Sequence, residues 1–241
     1  MKSGLFITLT LAALLAGCSI AAAPPAASSL DGLLGKTANR STLTRIPTGN
    51  QVRVGVIYSE TTQTNRAWLR NYQANAGTGF GQSLLVTSIH DAYVATSDPD
   101  QAVDWVRASL QRYFGPVTVY ADIHDLKAAK PDVTVVIDSR SQLITAHSSD
   151  IESTVSAHFY DKNLDYIATA NGRDALTLTP VWADNKRSGE IVADINQQQN
   201  VQITALKKFD RSLSALLAGP GGRVADENNF ISINHLNTDG T

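Results

Sequence analysis

The one thiol of the chain is the side chain whose surroundings point to a definite chemistry. Cys18 is the only cysteine among 241 residues, and it directly follows Leu15, Ala16 and Gly17. Because there is no second cysteine, Cys18 cannot form an internal disulfide, and we expect a single cysteine in an exported protein to have another role. Acylation is such a role, because each buried methylene contributes about 0.8 kcal/mol to membrane binding, and two or more chains give stable anchoring. The pattern predicts attachment to membrane lipid through Cys18.

The residues before Cys18 have the composition of an export signal. Met1-Lys2 gives a charged start, and an apolar run from Leu5 to Ala16 follows it. This run is too short to span a bilayer comfortably, and it has the length of the apolar region of a secretory signal. We therefore expect residues 1–17 to be a signal peptide that is removed during export.

The motif Leu15-Ala16-Gly17-Cys18 resembles the bacterial lipobox, in which the cysteine becomes the lipidated N terminus of the mature protein. An ordinary signal peptide with a cysteine near its cleavage site is the alternative interpretation. Ser19 stands where an aspartate would favour retention in the inner membrane of enterobacteria. By that analogy, we expect the protein on the periplasmic face of the outer membrane.

Other residue patterns predict neither catalysis nor a metal or cofactor site. No histidine pair has the i, i+4 spacing of helical metal ligands, and no Cys/His cluster exists. His147 and His158 could meet across a sheet, although a structural role is favoured. The glycine-rich run Gly77–Gly81 has no Walker lysine after it, and no Gly-x-Ser-x-Gly motif is present. We expect a protein that is not an enzyme, with Asp161 and Asp165 exposed in a turn.

Composition and charge favour a folded domain that does not bind nucleic acid. The chain is 43% hydrophobic and 17% charged, with a formal net charge of −2. Non-specific binding of nucleic acid requires clustered Lys and Arg, which this balance does not suggest. We expect a lipidated N terminus and flexible tether over residues 18–50, one domain over 51–218 and a tail over 219–241.

Hydrophobic periodicity indicates the elements of this domain. Alternating or continuous apolar runs predict strands over 52–58, 117–120 and 133–137 and a hairpin over 154–170, whereas 61–65 is polar and is expected to be a loop. Residues 67–74 fit either a strand or a helical turn. Asp98-Pro99-Asp100-Gln101 is typical of a helix start, with the Asp98 side chain as the N-cap and Pro99 as the first helical residue. A last long helix begins at Ser188 or Gly189, and its polar run Gln197–Asn200 predicts a kink or a face for another subunit.

These elements predict an α/β (α+β) fold, a single compact domain with a central mixed sheet flanked by helices. With the lipobox, the strand Val52–Tyr58, the step Pro131-Asp132-Val133 and the hairpin centre Phe159–Asn163, the pattern over residues 50–217 resembles a known group. It is similar to periplasmic lipoprotein domains related to the TolB N-terminal domain. Members include the curli-secretion lipoprotein, the polysaccharide-export lipoprotein of the Pel system and outer-membrane activators of peptidoglycan synthases.

The resemblance implies a non-enzymatic accessory or assembly factor of an envelope complex, whose helical face binds a protein partner. It also implies that homo-oligomers are possible. The alternative is a binding module for peptidoglycan or exported polysaccharide, with exposed aromatics such as Tyr166 and Trp182 as contacts. An enzyme with an unrecognised site is a third and weaker interpretation. The sequence does not identify the residues that bind a partner.

Overall fold

The computed structural model describes residue 24 and residues 30–34, 39–75, 87–145, 148–179 and 186–219. The predicted lipidation motif, His147, Trp182, the glycine-rich run 77–81 and the tail beyond residue 219 lie outside these ranges. The elements, in chain order, are α1 (Leu30–Leu34), β1 (Val54–Tyr58), α2 (Glu60–Asn75), α3 (Thr87–Ala95), α4 (Gln101–Gln111), β2 (Val117–Val119), α5 (Ile123–Ala129), β3 (Val133–Gln142), β4 (Asp150–Asp161), β5 (Tyr166–Thr177) and α6 (Ser188–Ala218).

The strands form one five-stranded mixed sheet in the order β2-β1-β3-β4-β5. Strand β1 is parallel to both β2 and β3, whereas β4 is antiparallel to β3 and to β5. The β-branched run that begins at Val133 is the central strand, as its unbroken apolar character predicts for a strand covered on both faces. The predicted α/β (α+β) domain with a mixed sheet flanked by helices is thereby confirmed.

Helices α4 and α6 cover the first face of the sheet. Alternate residues of β4, namely Val155, Ala157 and Phe159, point into this layer and are buried. The helices meet them with apolar side chains at helical spacing, which are Val103, Val106, Leu110, Leu206, Phe209 and Leu213. The approach is closest at Gly172 on β5, where an added Cβ would lie 2.1 Å from the carbonyl oxygen of Ala205. A glycine is therefore required at this crossing.

Helix α2 contradicts the loop predicted over residues 61–65. Two of its buried polar residues, Thr62 and Asn65, bond the backbone of β3 around and beyond the point where β1 ends. The Oγ1 atom of Thr62 donates to the carbonyl of Ile137 at 2.9 Å and accepts from the N–H of Ser139 at 2.8 Å. One turn later, Asn65 makes an equivalent pair with Ser141. Polar residues at this position therefore indicate a helix that replaces a missing neighbouring strand.

The polar run Gln197–Asn200 lies within the continuous helix α6, and one of its residues is buried while Asn200 at its end is exposed. The expected kink or face for another subunit stays a prediction. Gln198 of α6 is fully buried and faces the segments that follow β3 and α3. Its Oε1 accepts from the N–H of Ile144 at 2.7 Å, and its Nε2 donates to Thr96 Oγ1 at 2.7 Å. Gln202 also donates to the backbone oxygen of Thr96, at 2.8 Å. The side-chain amides bond groups that would otherwise be buried without partners.

Helix α4 begins later than its capping motif predicts. The first helical residue is Gln101, and Asp100 rather than Asp98 is the N-cap. The Asp98 carboxylate accepts from the N–H of Asp100 at 2.9 Å, so it closes the turn before the helix. The Asp100 carboxylate accepts from the guanidinium of Arg66 on α2. An ion pair between helices therefore replaces the expected side-chain cap.

The turn between β4 and β5 buries one of the two carboxylates that were expected to face solvent. The side chain of Asp161 accepts from the N–H groups of Asn163 and Asp165, at 2.8 and 3.0 Å. Only 7% of Asp161 is exposed. Leu164 completes the turn with a φ of 61° in the left-handed region. The turn is confirmed at its predicted position, and Asp161 is its internal hydrogen-bond acceptor.

Candidate functional site

The chain that follows the predicted lipidation site packs against the second face of the sheet. Pro24 is buried, and its carbonyl oxygen accepts a hydrogen bond of 3.5 Å from the Arg140 guanidinium on β3. Further along, Leu34 of α1 is 1% exposed and packs in a cluster with Ile57 and Tyr160. This cluster also includes Leu126 of α5. Pro24 therefore lies near the end of β3, and α1 lies nearer the hairpin turn on the same face of the sheet.

The same segment then passes around the edge of the sheet at β5. The N–H of Tyr166 donates to the carbonyl of Asn39, and the N–H of Ser41 donates to the carbonyl of Tyr166, both at 2.7 Å. The hydroxyl of Ser41 donates to the Asp161 carboxylate at 2.5 Å. Ile46 then enters the core on the first face. Residues 39–50 therefore belong to the folded domain, and the predicted boundary of the tether at residue 50 is too late.

These contacts limit the length of chain available between Cys18 and the domain. Cys18 precedes Pro24 by six residues. A fully extended chain covers at most about 3.3–3.6 Å per residue, so this stretch can reach roughly 20 Å. A fully stretched tether over residues 18–50, as predicted from the sequence, would instead reach about 100 Å. The contacts of Pro24 and α1 therefore place the domain close to whatever holds residue 18.

A polar region covers the second face where β3, β4 and β5 lie side by side. The registers align Arg140, Thr154 and Arg173 in one row across the three strands. Asp138, Ser156 and Asn171 form the next row. Arg173 and Asn171 are exposed, and the other members are partly buried. We call these two rows the polar rows, and they present hydroxyl, amide, guanidinium and carboxylate groups on the second face of the sheet.

His158 lies at the border between the polar rows and the α1 cluster. Its Nδ1 is 2.9 Å from the hydroxyl oxygen of Thr169, which is itself 2.9 Å from the Tyr166 hydroxyl. Burial lowers the pKa of His158 below its usual 6.5, and the negative charge of Asp138 opposes this shift. The imidazole is therefore held in its neutral form more strongly than an exposed histidine. Its contacts fit the structural role favoured for it.

The outer surface of the helical layer carries a pair of basic side chains. Lys207 and Arg211 are one turn apart on α6, so they share one face of the helix, and both are exposed. Neither pairs with an acidic group among the residues that the structure describes. Arg112 at the end of α4 binds the carboxylate of Asp210, the residue before Arg211, at 3.0 Å. We refer to Lys207 and Arg211 as the basic pair.

Hydrogen bonds to the carboxylate of Asp210, the residue before Arg211, join α4 to α6. Asp210 accepts from Ser109 Oγ at 2.5 Å and from Trp105 Nε1 at 3.1 Å. Only 7% of Asp210 is exposed. Trp105 is partly buried against the core, as its position beside the apolar stripe of α4 predicts. The basic pair is therefore displayed on a helix whose position is fixed.

The described residues bring together no group of three or more His, Cys, Asp or Glu side chains that could hold a metal ion. Within the same ranges, no helix has the length and apolar character needed to cross a membrane. Three large hydrophobic side chains are exposed there, Leu43, Val119 and Leu176, and they belong to separate parts of the fold. A contiguous apolar docking patch would need such residues side by side.

Sequence reasoning missed the polar rows and the basic pair, although signals for both were present. The alternation of β4 assigns Ser156 and His158 to the face opposite Val155. The i, i+4 spacing of Lys207 and Arg211 is equally visible in the sequence. The pairing of β4 with β3 and β5, which assembles the rows, could not be deduced from spacing alone.

Tyr166, which the sequence suggested as an aromatic contact for glycan, is partly buried. Its ring centroid lies 5.9 Å from that of Tyr160.

Comparison with known proteins identifies no family for this chain. No family model matches it, and no curated protein matches it. Among solved structures, it is similar to a PelC dodecamer from Paraburkholderia phytofirmans, with 13% sequence identity and a TM-score of 0.29. The match covers 66% of this chain and 96% of the PelC chain. At this level of similarity, function has to be argued from the residues of the chain itself.

Proposed function

We propose that the protein is a lipid-anchored accessory or assembly factor of a bacterial envelope complex, which acts by binding rather than by catalysis. The observation that carries the proposal is the motif Leu15-Ala16-Gly17-Cys18 after a short apolar run. The packing of Pro24 and α1 against the sheet supports it, because the chain directly after the motif contributes to a fold that the anchor would hold. Ser19 supports placement on the periplasmic face of the outer membrane.

The lipid anchor is tested by mass spectrometry of the N-terminal peptide of the protein from membranes. We expect cleavage before Cys18 and a mass that includes acyl chains on its sulfur and amine. Cys18→Ser should move the protein from the membrane fraction to the soluble fraction or leave the precursor uncleaved. A mature protein that begins elsewhere, or a Cys18 without acyl chains, would overturn the anchor.

The basic pair supports a protein partner with an acidic surface. Lys207 and Arg211 are exposed on α6 and form no ion pair with an acidic group among the described residues, so their charges are available to a partner. Complementary charges of this kind raise the association rate and the salt dependence of binding. Helix α6 is fixed by its contacts to β5 and to α4. The pair therefore presents a rigid basic surface on the helical face.

Crosslinking in intact cells, followed by affinity purification and mass spectrometry, tests the partner. We expect one reproducible envelope protein or a second copy of this chain. The variant Lys207→Glu/Arg211→Glu should lower its recovery by roughly tenfold, which corresponds to about 1.4 kcal/mol. The matched control is Lys130→Glu/Lys162→Glu, which changes the net charge equally at exposed positions elsewhere. Equal recovery for the two variants would exclude the basic pair as the contact.

Binding of peptidoglycan or exported polysaccharide is the second candidate function, and the polar rows favour it. Thr154, Ser156, Asn171 and Arg173 offer the hydroxyl, amide and guanidinium groups that hydrogen-bond sugar hydroxyls. NMR spectra recorded with peptidoglycan fragments or exopolysaccharide test it. Shift changes confined to β4 and β5, and lost in Asn171→Ala/Arg173→Ala, would support glycan binding. Unchanged spectra at saturating fragment would exclude it.

A further inference from the structure

The end of the sheet nearest the predicted anchor can be identified from the path of the N-terminal segment. Pro24 contacts Arg140, which is two residues from the end of β3. Helix α1 packs with Tyr160 near the opposite end of the sheet. Pro24, the described residue nearest to Cys18 in sequence, therefore lies at the end formed by the last residues of β3, the first of β4 and the last of β5.

We infer that this end of the sheet faces the headgroup layer of the membrane that holds Cys18. The inference rests on the proposed lipid anchor. Six residues from Cys18 to Pro24 reach at most roughly 20 Å, which is less than the length of the domain along its strands. Strand β4, with 12 residues at about 3.3 Å each, is nearly 40 Å long. The hairpin turn lies at the other end of the strand, beyond the reach of this connection, and in the proposed orientation it points away from the membrane.

The chemistry of this end fits a lipid headgroup layer. Its described residues are mainly hydroxyl-bearing, and we call them the hydroxyl rim, namely Thr145, Ser148, Ser149, Thr177 and Thr179. The carboxylate of Asp150 is held within this rim, because it accepts from Ser148 Oγ at 3.2 Å and from Thr177 Oγ1 at 2.8 Å. Neutral hydroxyl groups can exchange hydrogen bonds between water and headgroups without desolvating a charge.

Fluorescence quenching on vesicles tests this orientation with the full-length lipidated protein. A dye is attached at Ala175→Cys, near the hydroxyl rim, or at Lys162→Cys, in the hairpin turn. Both side chains are exposed, and they lie about 30 Å apart along the strands. An acylated Cys18 does not react with the dye. The vesicles carry a nitroxide on the lipid headgroup. We expect strong quenching at position 175 and little at position 162.

A linker variant supplies the control. Insertion of 12 Gly and Ser residues between Ala21 and Ala22 adds an average length of about 20 Å without altering the fold. It should reduce the difference in quenching between the two positions, whereas the same insertion after Gly222 should leave the difference unchanged.

The two hypotheses fail in different ways. A protein that lacks acyl chains by mass spectrometry, or that does not bind vesicles, would contradict the proposed anchor. An acylated, vesicle-bound protein with equal quenching at both positions, or with stronger quenching at position 162, would overturn the orientation while leaving the anchor intact.

Discussion

Asn65 on α2 pairs with the backbone of Ser141 on β3 in the way that a neighbouring strand would. Its Nδ2 donates to the Ser141 carbonyl, and its Oδ1 accepts from the Ser141 N–H, both at 2.9 Å. Both residues are buried. The helix therefore continues the hydrogen bonding of the central strand beyond the point where β1 ends.

Replacement of Asn65 should destabilise the protein strongly. Asn65→Ala leaves a buried donor and a buried acceptor of β3 without partners, and each such group costs about 1–3 kcal/mol. We expect the free energy of unfolding to fall by about 2–4 kcal/mol in urea titrations. Asn71→Ala, an exposed position of the same helix, should change it by less than about 0.5 kcal/mol. Equal effects of the two substitutions would refute the pairing.

Gly172 should not tolerate a side chain. In Gly172→Ala, the new Cβ would lie 2.1 Å from the oxygen of Ala205 and 2.4 Å from the nitrogen of Phe209. Because both are backbone atoms of α6, the helix would have to move, at a cost of about 3 kcal/mol or more. Thermal unfolding should show the loss, or the protein should fail to accumulate.

Gly189→Ala provides the matched control for Gly172→Ala. An added Cβ at Gly189 meets nothing within 4 Å, and the residue lies in the first turn of α6. Alanine has the higher helix propensity, so stability should stay equal or rise by up to about 1 kcal/mol. A similar loss in both variants would show that α6 is not held closely against β5.

His158 should make stability depend on pH on the acidic side of neutrality. Burial lowers its pKa in the folded state below the usual 6.5, so the unfolded chain binds more protons as the pH falls. Stability should be complete above about pH 6.5 and decrease as the pH falls towards the lowered pKa of the folded state. Urea titrations between pH 8 and pH 5 should show a smaller decrease in His158→Gln.

The charge of Asp138 should act on the same histidine in the opposite direction. Because the carboxylate favours the protonated imidazole, Asp138→Asn should lower the pKa of His158 further. An NMR titration of the imidazole resonances would measure this shift directly. A higher pKa in the variant would contradict the placement of His158 beside Asp138.

Asp210 should contribute strongly to the packing of α4 on α6. Asp210→Ala leaves the buried Ser109 hydroxyl and the Trp105 indole N–H without their acceptor, so we expect a loss of about 2–4 kcal/mol. Asp104→Ala removes an exposed carboxylate that pairs with Arg107 on the same helix, and it should cost less than about 0.5 kcal/mol. Unfolding curves of the two variants, recorded by tryptophan fluorescence, check the difference.

The elements that could be predicted from sequence are those whose hydrophobic pattern is decided locally. The apolar run at Val133–Ile137, the alternation of Val155, Ala157 and Phe159, and the periodic stripe of α4 all lie where their spacing indicates. Each follows from burial of apolar side chains on one face or on both. The mixed sheet follows from these elements together with the turn at Lys162.

The residues whose roles could not be predicted are polar groups that satisfy distant backbone atoms. Thr62, Asn65 and Gln198 are of residue types common in loops and on surfaces, yet each bonds a backbone group more than 50 residues away in sequence. Periodicity contains no information about such partners. The same holds for Pro24 and Ile46, because a segment rich in Ala, Pro and Ser shows no pattern that reveals packing against a sheet.

The N-terminal segment also determines how the domain would bear mechanical load. A force applied at residue 18 reaches Pro24 first, then α1, then the backbone pairs of Asn39 and Ser41 with Tyr166. These contacts would bear the force one after another and not all at once. Strand β1 lies inside the sheet and bears tension only after they have separated. Under a force applied at residue 18, the contacts of the N-terminal segment would therefore separate before those of the core strands.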